Sequence, residues 1–227
     1  DWSSDVCSSD LYKIPVIEDA AHALLSKYKE HYVGYNSRYT CFSFQAIKHL
    51  TTVDGGMLFL NNSIEYERAR KLRWFGLDKK IPRLDNDITE AGYKYNMNNV
   101  NAAIGLVQLE YLTDNVFKYI NNGQYYDKEL KNVEGISLIN YYENTEPSYW
   151  LYTLKVKNRD GFVKMLAENG IQASPLHLRN DRHSVFKSMR ELKNLDEFYN
   201  DFVHIPCGWW VSNEDRKRIV DLIKKGW

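Results

Sequence analysis

Between Leu11 and Asn62 the apolar positions fall in short β-branched and aromatic runs, without a helical rhythm. Ile14, Val16 and Ile17 lead into Glu18 and Asp19, and the segment from Tyr39 to Phe44 reads YTCFSF; both predict strands of a buried sheet. After Gly55 and Gly56, MLFLNN predicts a third strand. Ser63 is the expected cap of a helix from Ile64 to Phe75 that stops at Gly76, a residue type suited to a left-handed turn. Strands alternating with helices predict α/β layering. From Asn99 the period changes: Val100, Ala103, Ile104, Val107 and Tyr111 recur every three or four residues, which predicts a long amphipathic helix packed on the larger domain.

The second half has different signals. A turn from Asn144 to Pro147 precedes the alternating YWLYTLKVK. Asp160 is then the expected cap of a helix through Leu166 that ends at Gly170, and an extended IQASPLHLR follows. Ser212 with Asp215 three residues on predicts a capping box for a last helix with Ile219, Val220, Leu222 and Ile223 on its apolar face. This pattern predicts a smaller α+β domain over 114–227 after the α/β part over 11–113. The expected boundary lies near Thr113 to Asn115, although no Gly/Pro/Ser-rich linker marks it.

Composition narrows the function classes. The 30 basic residues balance 30 acidic ones, so no global charge favours nucleic acid or an anionic membrane. No apolar run approaches the roughly 20 residues of a bilayer-spanning helix. Cys7, Cys41 and Cys207 lack CxxC spacing, which argues against a disulfide framework or a thiolate zinc site and for a cytoplasmic setting. Residues Asp1 to Asp10, DWSSDVCSSD, lack apolar periodicity and match the in-frame translation of a sequencing-library adapter. They are read as a non-native tail, Cys7 with them, and the rest as a C-terminal fragment of a longer protein.

Candidate chemistry concentrates between Glu18 and Gly56. Asp19 ends a predicted strand, where open α/β sheets place ligand-binding groups, although an aspartate there also suits a helix cap. Lys48 and Ser43 follow or end the next strand, where a lysine is ordinarily solvated and a serine ordinarily satisfies its own backbone. Gly55 and Gly56 lack phosphate-loop spacing and read as a tight turn.

Three ordered blocks make the pattern specific: EDAAHALLSKYKEHYVG, CFSFQAIKHLTTVDGGMLFLNN and AGYKYNMNNVNAAIGLVQLEYL. The chain from about Ile14 onward resembles the DegT/StrS family of pyridoxal-phosphate-dependent sugar aminotransferases, more weakly after Thr113. The resemblance implies part of a fold-type I large domain, a mainly parallel sheet with flanking helices, followed by the small domain. It implies pyridoxal 5'-phosphate as cofactor, with Lys48 joined covalently to it and shuttling a proton. Asp19 would hold the ring nitrogen protonated, Ser43 would bond the phosphate, and His22, one helical turn after Asp19, would meet the ring. Lys94 and Asn96, in GYKYNM, would reach the cofactor phosphate of a second copy, which implies a homodimer with shared sites. Many relatives read GYNYRM there, which leaves open which side chain makes that contact. His177, Arg179 and Asn180, in LHLRND, fall where relatives place a substrate-facing loop, although their polar mix equally suits a solvated turn. The implied reaction is transfer of an amino group, from glutamate, to a nucleotide-linked keto sugar. A sugar dehydratase and a non-catalytic regulatory or scaffold relative are the alternatives; some dehydratases of the family carry histidine where Lys48 stands.

Overall fold

A computed structural model describes residues 11–227 of the chain. Asp1 to Asp10, expected to be a non-native tail, lie with Cys7 outside the described residues. The chain divides into two compact units, one ending at Thr113 and the other beginning at Asp114.

In the first unit, β1 (Ile17–Asp19) is followed by a small hairpin of β2 (Lys27–Tyr28) and β3 (His31–Tyr32), then by β4 (Tyr39–Ser43) and β5 (Gly56–Leu60). β1, β4 and β5 form one sheet in that order. β1 runs parallel to β4, with Ile17 opposite Tyr39 and Asp19 opposite Cys41. β5 runs antiparallel to β4, with Ser43 opposite Gly56, so the expectation of a mainly parallel sheet needs correction: its two pairings differ in sense. The loop after β4 closes on itself and returns the chain to the end it left, whereas a parallel return needs a crossover. The expected burial is also partial. Met57, Leu58 and Phe59 are exposed on successive positions of β5, and Ile17 is exposed on β1. Among the described residues, three strands with one closely neighbouring helix supply too little material to cover both faces.

That helix, α1 (Ser63–Leu72), is capped by Asn62 and not by Ser63: Asn62 Oδ1 accepts the N–H groups of Ile64 and Glu65, both at 3.0 Å. It ends before Phe75, and Gly76 takes the expected positive φ of 81°. No helix follows Asp19; two turns lead from Ala21 to Leu25, and Leu25 itself has φ 61°. His22 is therefore not one helical turn from Asp19, because Asp19 Oδ1 accepts the Ala21 N–H at 3.1 Å and closes a turn instead. The long helix α2 (Asn99–Leu130) forms as its period predicts. The expected packing of its first turns does not: Val100, Val107 and Tyr111 are exposed, while Val116, Tyr119, Tyr126 and Leu130 further along are buried.

The second unit contains β6 (Ile136–Leu138), β7 (Thr145–Glu146), β8 (Tyr152–Val156), α3 (Arg159–Glu168), α4 (Lys193–Asp201), β9 (Phe202–Ile205) and α5 (Asn213–Ile223). β6, β8 and β9 form an antiparallel sheet with β8 in the centre. Tyr152, Leu154 and Val156 alternate into a core shared with Phe162 and Leu166 of α3, Val203 and Ile205 of β9, and Ile219, Val220 and Ile223 of α5. The cap of α3 is Asn158 in a left-handed conformation, with Oδ1 accepting the Gly161 N–H at 3.3 Å; Asp160 lies in the first turn. The capping box of α5 is present, with Ser212 Oγ accepting the Asp215 N–H at 3.0 Å and Asp215 Oδ2 accepting the Ser212 N–H at 3.3 Å. Among the described residues no helix is long and apolar enough to cross a membrane, and no group of three or more His, Cys, Asp or Glu could hold a metal ion.

Candidate active site

Parallel pairing puts the C-terminal ends of β1 and β4 side by side, because Asp19 stands opposite Cys41 and Ser43 is two residues further on. Ser43 Oγ accepts the Gln45 N–H at 3.4 Å, which starts the loop that carries Lys48. Lys48 donates its backbone N–H to the Gln45 carbonyl at 2.9 Å. Its side chain is half-buried; loss of water lowers the basicity of the amine, and the Asp19 carboxylate opposes that shift without cancelling it. A lysine with part of its charge disfavoured, within the field of a strand-end carboxylate, is suited to act as a nucleophile and proton carrier. His22 is exposed in the turn after Asp19.

The loop's root is tightly closed. Phe44 donates its N–H to the Gly55 carbonyl and its own carbonyl accepts the Thr52 N–H, both at 2.8 Å. Thr52, 2% exposed, sends its hydroxyl to the Asp54 carbonyl at 3.0 Å, and Val53 donates its N–H to Thr51 Oγ1 at 2.9 Å. Asn101 of α2 reaches the same Asp54 carbonyl through Nδ2 at 2.8 Å. Thr52, Asn101 and Gly105 were not singled out by the sequence; the Thr-Thr pair before Gly-Gly is the signal for the first, and periodicity gives none for the other two.

Lys94 and Asn96 lie on a different support. The Tyr95 and Asn96 N–H groups donate to the Arg73 carbonyl, Lys94 bridges to Trp74, and the Lys94 amine stands 5.9 Å from the Trp74 ring centroid. Lys94 is exposed, whereas Asn96 Oδ1 is buried without a hydrogen-bond partner. The following Met97 lies against Gly55, where an added Cβ would come within 2.6 Å of its Cε atom.

In the second unit His177 is exposed, with its ring centroid 6.0 Å from that of Trp150 and 5.6 Å from that of His204. Asn180 opens a single 3-10 turn, Asn180–Arg182. Arg179 departs from the expectation of a substrate-facing group. It is buried, and its guanidinium is engaged by both Asp181 oxygens at 2.9 and 2.6 Å, by the Arg190 carbonyl at 2.7 Å and by Asp196. The Arg179 hydrogen bonds, with the Arg190 N–H, hold the Asp181 carboxyl down at about 2.

The DegT/DnrJ/EryC1/StrS aminotransferase family matches residues 5–224. A UDP-4-amino-4,6-dideoxy-N-acetyl-beta-L-altrosamine transaminase of Campylobacter jejuni is 32% identical over 95% of this chain and 61% of its own length. Among solved structures, AtS13 from Actinomadura melliaura superposes with TM-score 0.95 at 36% identity, over 100% of this chain and 63% of that one. The sugar aminotransferase CalS13 from Micromonospora echinospora gives TM-score 0.91 at 35% identity, over 97% and 61%. The chain thus spans about three fifths of the relatives it matches.

Proposed function

We propose that this chain, which belongs to the DegT/DnrJ/EryC1/StrS aminotransferase family, is the lysine-bearing part of a pyridoxal-phosphate-dependent enzyme that transfers an amino group to a nucleotide-linked keto sugar. Glutamate is the proposed donor, and a homodimer with sites shared between copies is the proposed assembly. The observation that carries the reading is the Lys48 amine, made less basic by burial and acted on by Asp19, at the mouth of two parallel strands. Relatives named as nucleotide-sugar transaminases and sugar aminotransferases support the substrate class, and a related sugar aminotransferase solved in pyridoxal-phosphate and pyridoxamine-phosphate forms supports the cofactor.

The residues present fit that cofactor in chemistry. A carboxylate (Asp19), a hydroxyl at a strand end (Ser43) and a partly desolvated amine (Lys48) complement a ring nitrogen, a phosphate and an aldehyde carbon. When bound, the cofactor supplies the electron-withdrawing ring and the carbon that carries the amino group. Asp19 then keeps a proton on the ring nitrogen by charge pairing. Lys48 would hold the cofactor until the donor's amine replaces it, and its freed amine would then carry the proton from the amino-acid α-carbon. Ser43 would donate to the phosphate, His22 would meet the ring, and Lys94 and Asn96 would serve the phosphate of a second copy. His177 and Asn180 are the proposed substrate contacts of the second unit; Arg179 positions their loop.

The test is to mix the 227-residue chain with pyridoxal phosphate, reduce with borohydride and map the label by peptide mass spectrometry. Label on Lys48, lost in Lys48→Ala, is the expected result. Label spread over surface lysines and unchanged in Lys48→Ala would overturn the assignment.

A further inference from the structure

We infer that Thr52 is a positioning residue for Lys48, its hydroxyl fixing the root of the lysine loop, and that Gly105 of helix α2 leaves the room its methyl needs. The inference rests on the proposed function only for what Lys48 does.

Lys48 sits on a loop whose two ends are joined by the Phe44 and Thr52 backbone pair at 2.8 Å, so the position of Thr52 sets the loop's root. The Thr52 hydroxyl, buried beneath an exposed turn, is oriented by the Asp54 carbonyl at 3.0 Å and the Phe44 carbonyl at 3.4 Å. Its methyl faces α2. A Cβ added at Gly105 would lie 2.7 Å from Thr52 Cγ2, closer than real Cβ contacts come, so the approach of helix to loop depends on glycine at that position. Asn101, one helical turn earlier, secures the same turn through the Asp54 carbonyl.

A second observation is the backbone of the turn itself. Val53, a β-branched residue, adopts φ 68°, a strained conformation for such a side chain that persists where neighbouring contacts determine it. The Thr52 and Asn101 bonds, both to the Asp54 carbonyl, are those contacts. Strain of this kind, a few residues from a lysine with altered basicity, belongs to a loop built for position.

The experiment uses the 227-residue chain and reads Lys48 directly. The pH profile of its arylation by fluorodinitrobenzene, quantified on the Lys48 peptide, is compared in Thr52→Val, Thr52→Ser, Gly105→Ala and the Thr52→Ser/Gly105→Ala pair. Asp19 is retained throughout. Thr52→Val removes the hydroxyl and keeps the shape; it should loosen the loop, expose the amine and move the midpoint up by about half a unit or more. Thr52→Ser keeps the hydroxyl and should stay with the parent. Gly105→Ala should shift the profile as Thr52→Val does, and the double variant should return to the Thr52→Ser profile, because serine lacks the methyl that the new Cβ would strike.

Rescue in the double variant, with a shifted Gly105→Ala, supports the contact. An unshifted Thr52→Val and Gly105→Ala, or a Gly105→Ala shift that Thr52→Ser fails to relieve, overturns it. If Thr52→Val does not fold, the other three decide. A chain that takes no label from pyridoxal phosphate yet shows the shift and rescue would reject the proposed function and leave the positioning intact.

Discussion

Strands β5 and β8 have the same length and opposite surroundings. β5 reads GMLFL and is the more apolar, yet Met57, Leu58 and Phe59 are exposed; β8 reads YTLKV, with a lysine inside it, and Tyr152, Leu154 and Val156 are buried. Position in the sheet makes the difference. β8 lies between β6 and β9, and its inward residues meet side chains of α3 and α5, whereas β5 is an edge strand of a three-stranded sheet. Apolar content states what burial would gain; the neighbours decide whether it happens. The second unit closes a core of its own, and the first places its candidate chemistry on loops at the end of a half-covered sheet.

Matched substitutions test that contrast most sharply. Leu154→Ala, at 0% exposure, should cost about 2–5 kcal/mol through lost transfer energy and a cavity. Leu58→Ala, at 47% exposure, should cost less than about 1 kcal/mol. Urea unfolding followed by fluorescence measures both. Equal losses would mean that β5 is covered in solution and that the two strands are alike after all.

A smaller effect belongs to a polar device inside the second unit. Asp127 of α2 accepts the Tyr149 hydroxyl at 2.5 Å and the Tyr152 hydroxyl at 2.7 Å. Burial pushes both phenols up, and the hydrogen bonds to the carboxylate push them further. Asp127→Ala leaves two largely desolvated hydroxyls without their acceptor and should cost about 1–3 kcal/mol. A neutral result in the same urea measurement would show that water replaces the carboxylate there.

The legible parts of the sequence were those fixed by local pattern. The alternation of β8, the capping box at Ser212 and Asp215, and the period of α2 each involve residues within a few positions of one another. The positions of Asp19 and Ser43 at strand ends, and of Lys48 on the loop after β4, were legible in the same way. The caps of α1 and α3 were misplaced because an asparagine one or two positions earlier competes for each, and which side chain wins depends on where the backbone turns. Thr52 with Gly105, and Arg179 with Asp196, were illegible for a different reason. Each role arises from contact between residues remote in sequence, and neither threonine, glycine nor a loop arginine announces its partner.

The smallest effect contrasts the core of the second unit with the loop at its rim. Arg179, Asp181, Asp196 and the Arg190 backbone tie the two ends of the segment that contains Val185, Phe186 and Met189, all exposed. The Asp181 carboxyl titrates at about 2 in the folded chain, below the roughly 3.9 of a free aspartate, because Arg179 and the Arg190 N–H bond its charged form. A depressed acid contributes its stabilisation fully above the unfolded value and loses it as pH falls through the folded one. The tie should therefore hold unchanged from pH 7 to about 4 and weaken between about 4 and 2. Hydrogen exchange read by mass spectrometry should show residues 183–189 opening in that acid window while β8 stays protected, and Asp181→Asn should open the loop already at pH 7. Opening between pH 7 and 5 in the parent would assign the tie to another titrating group and remove Asp181 from it.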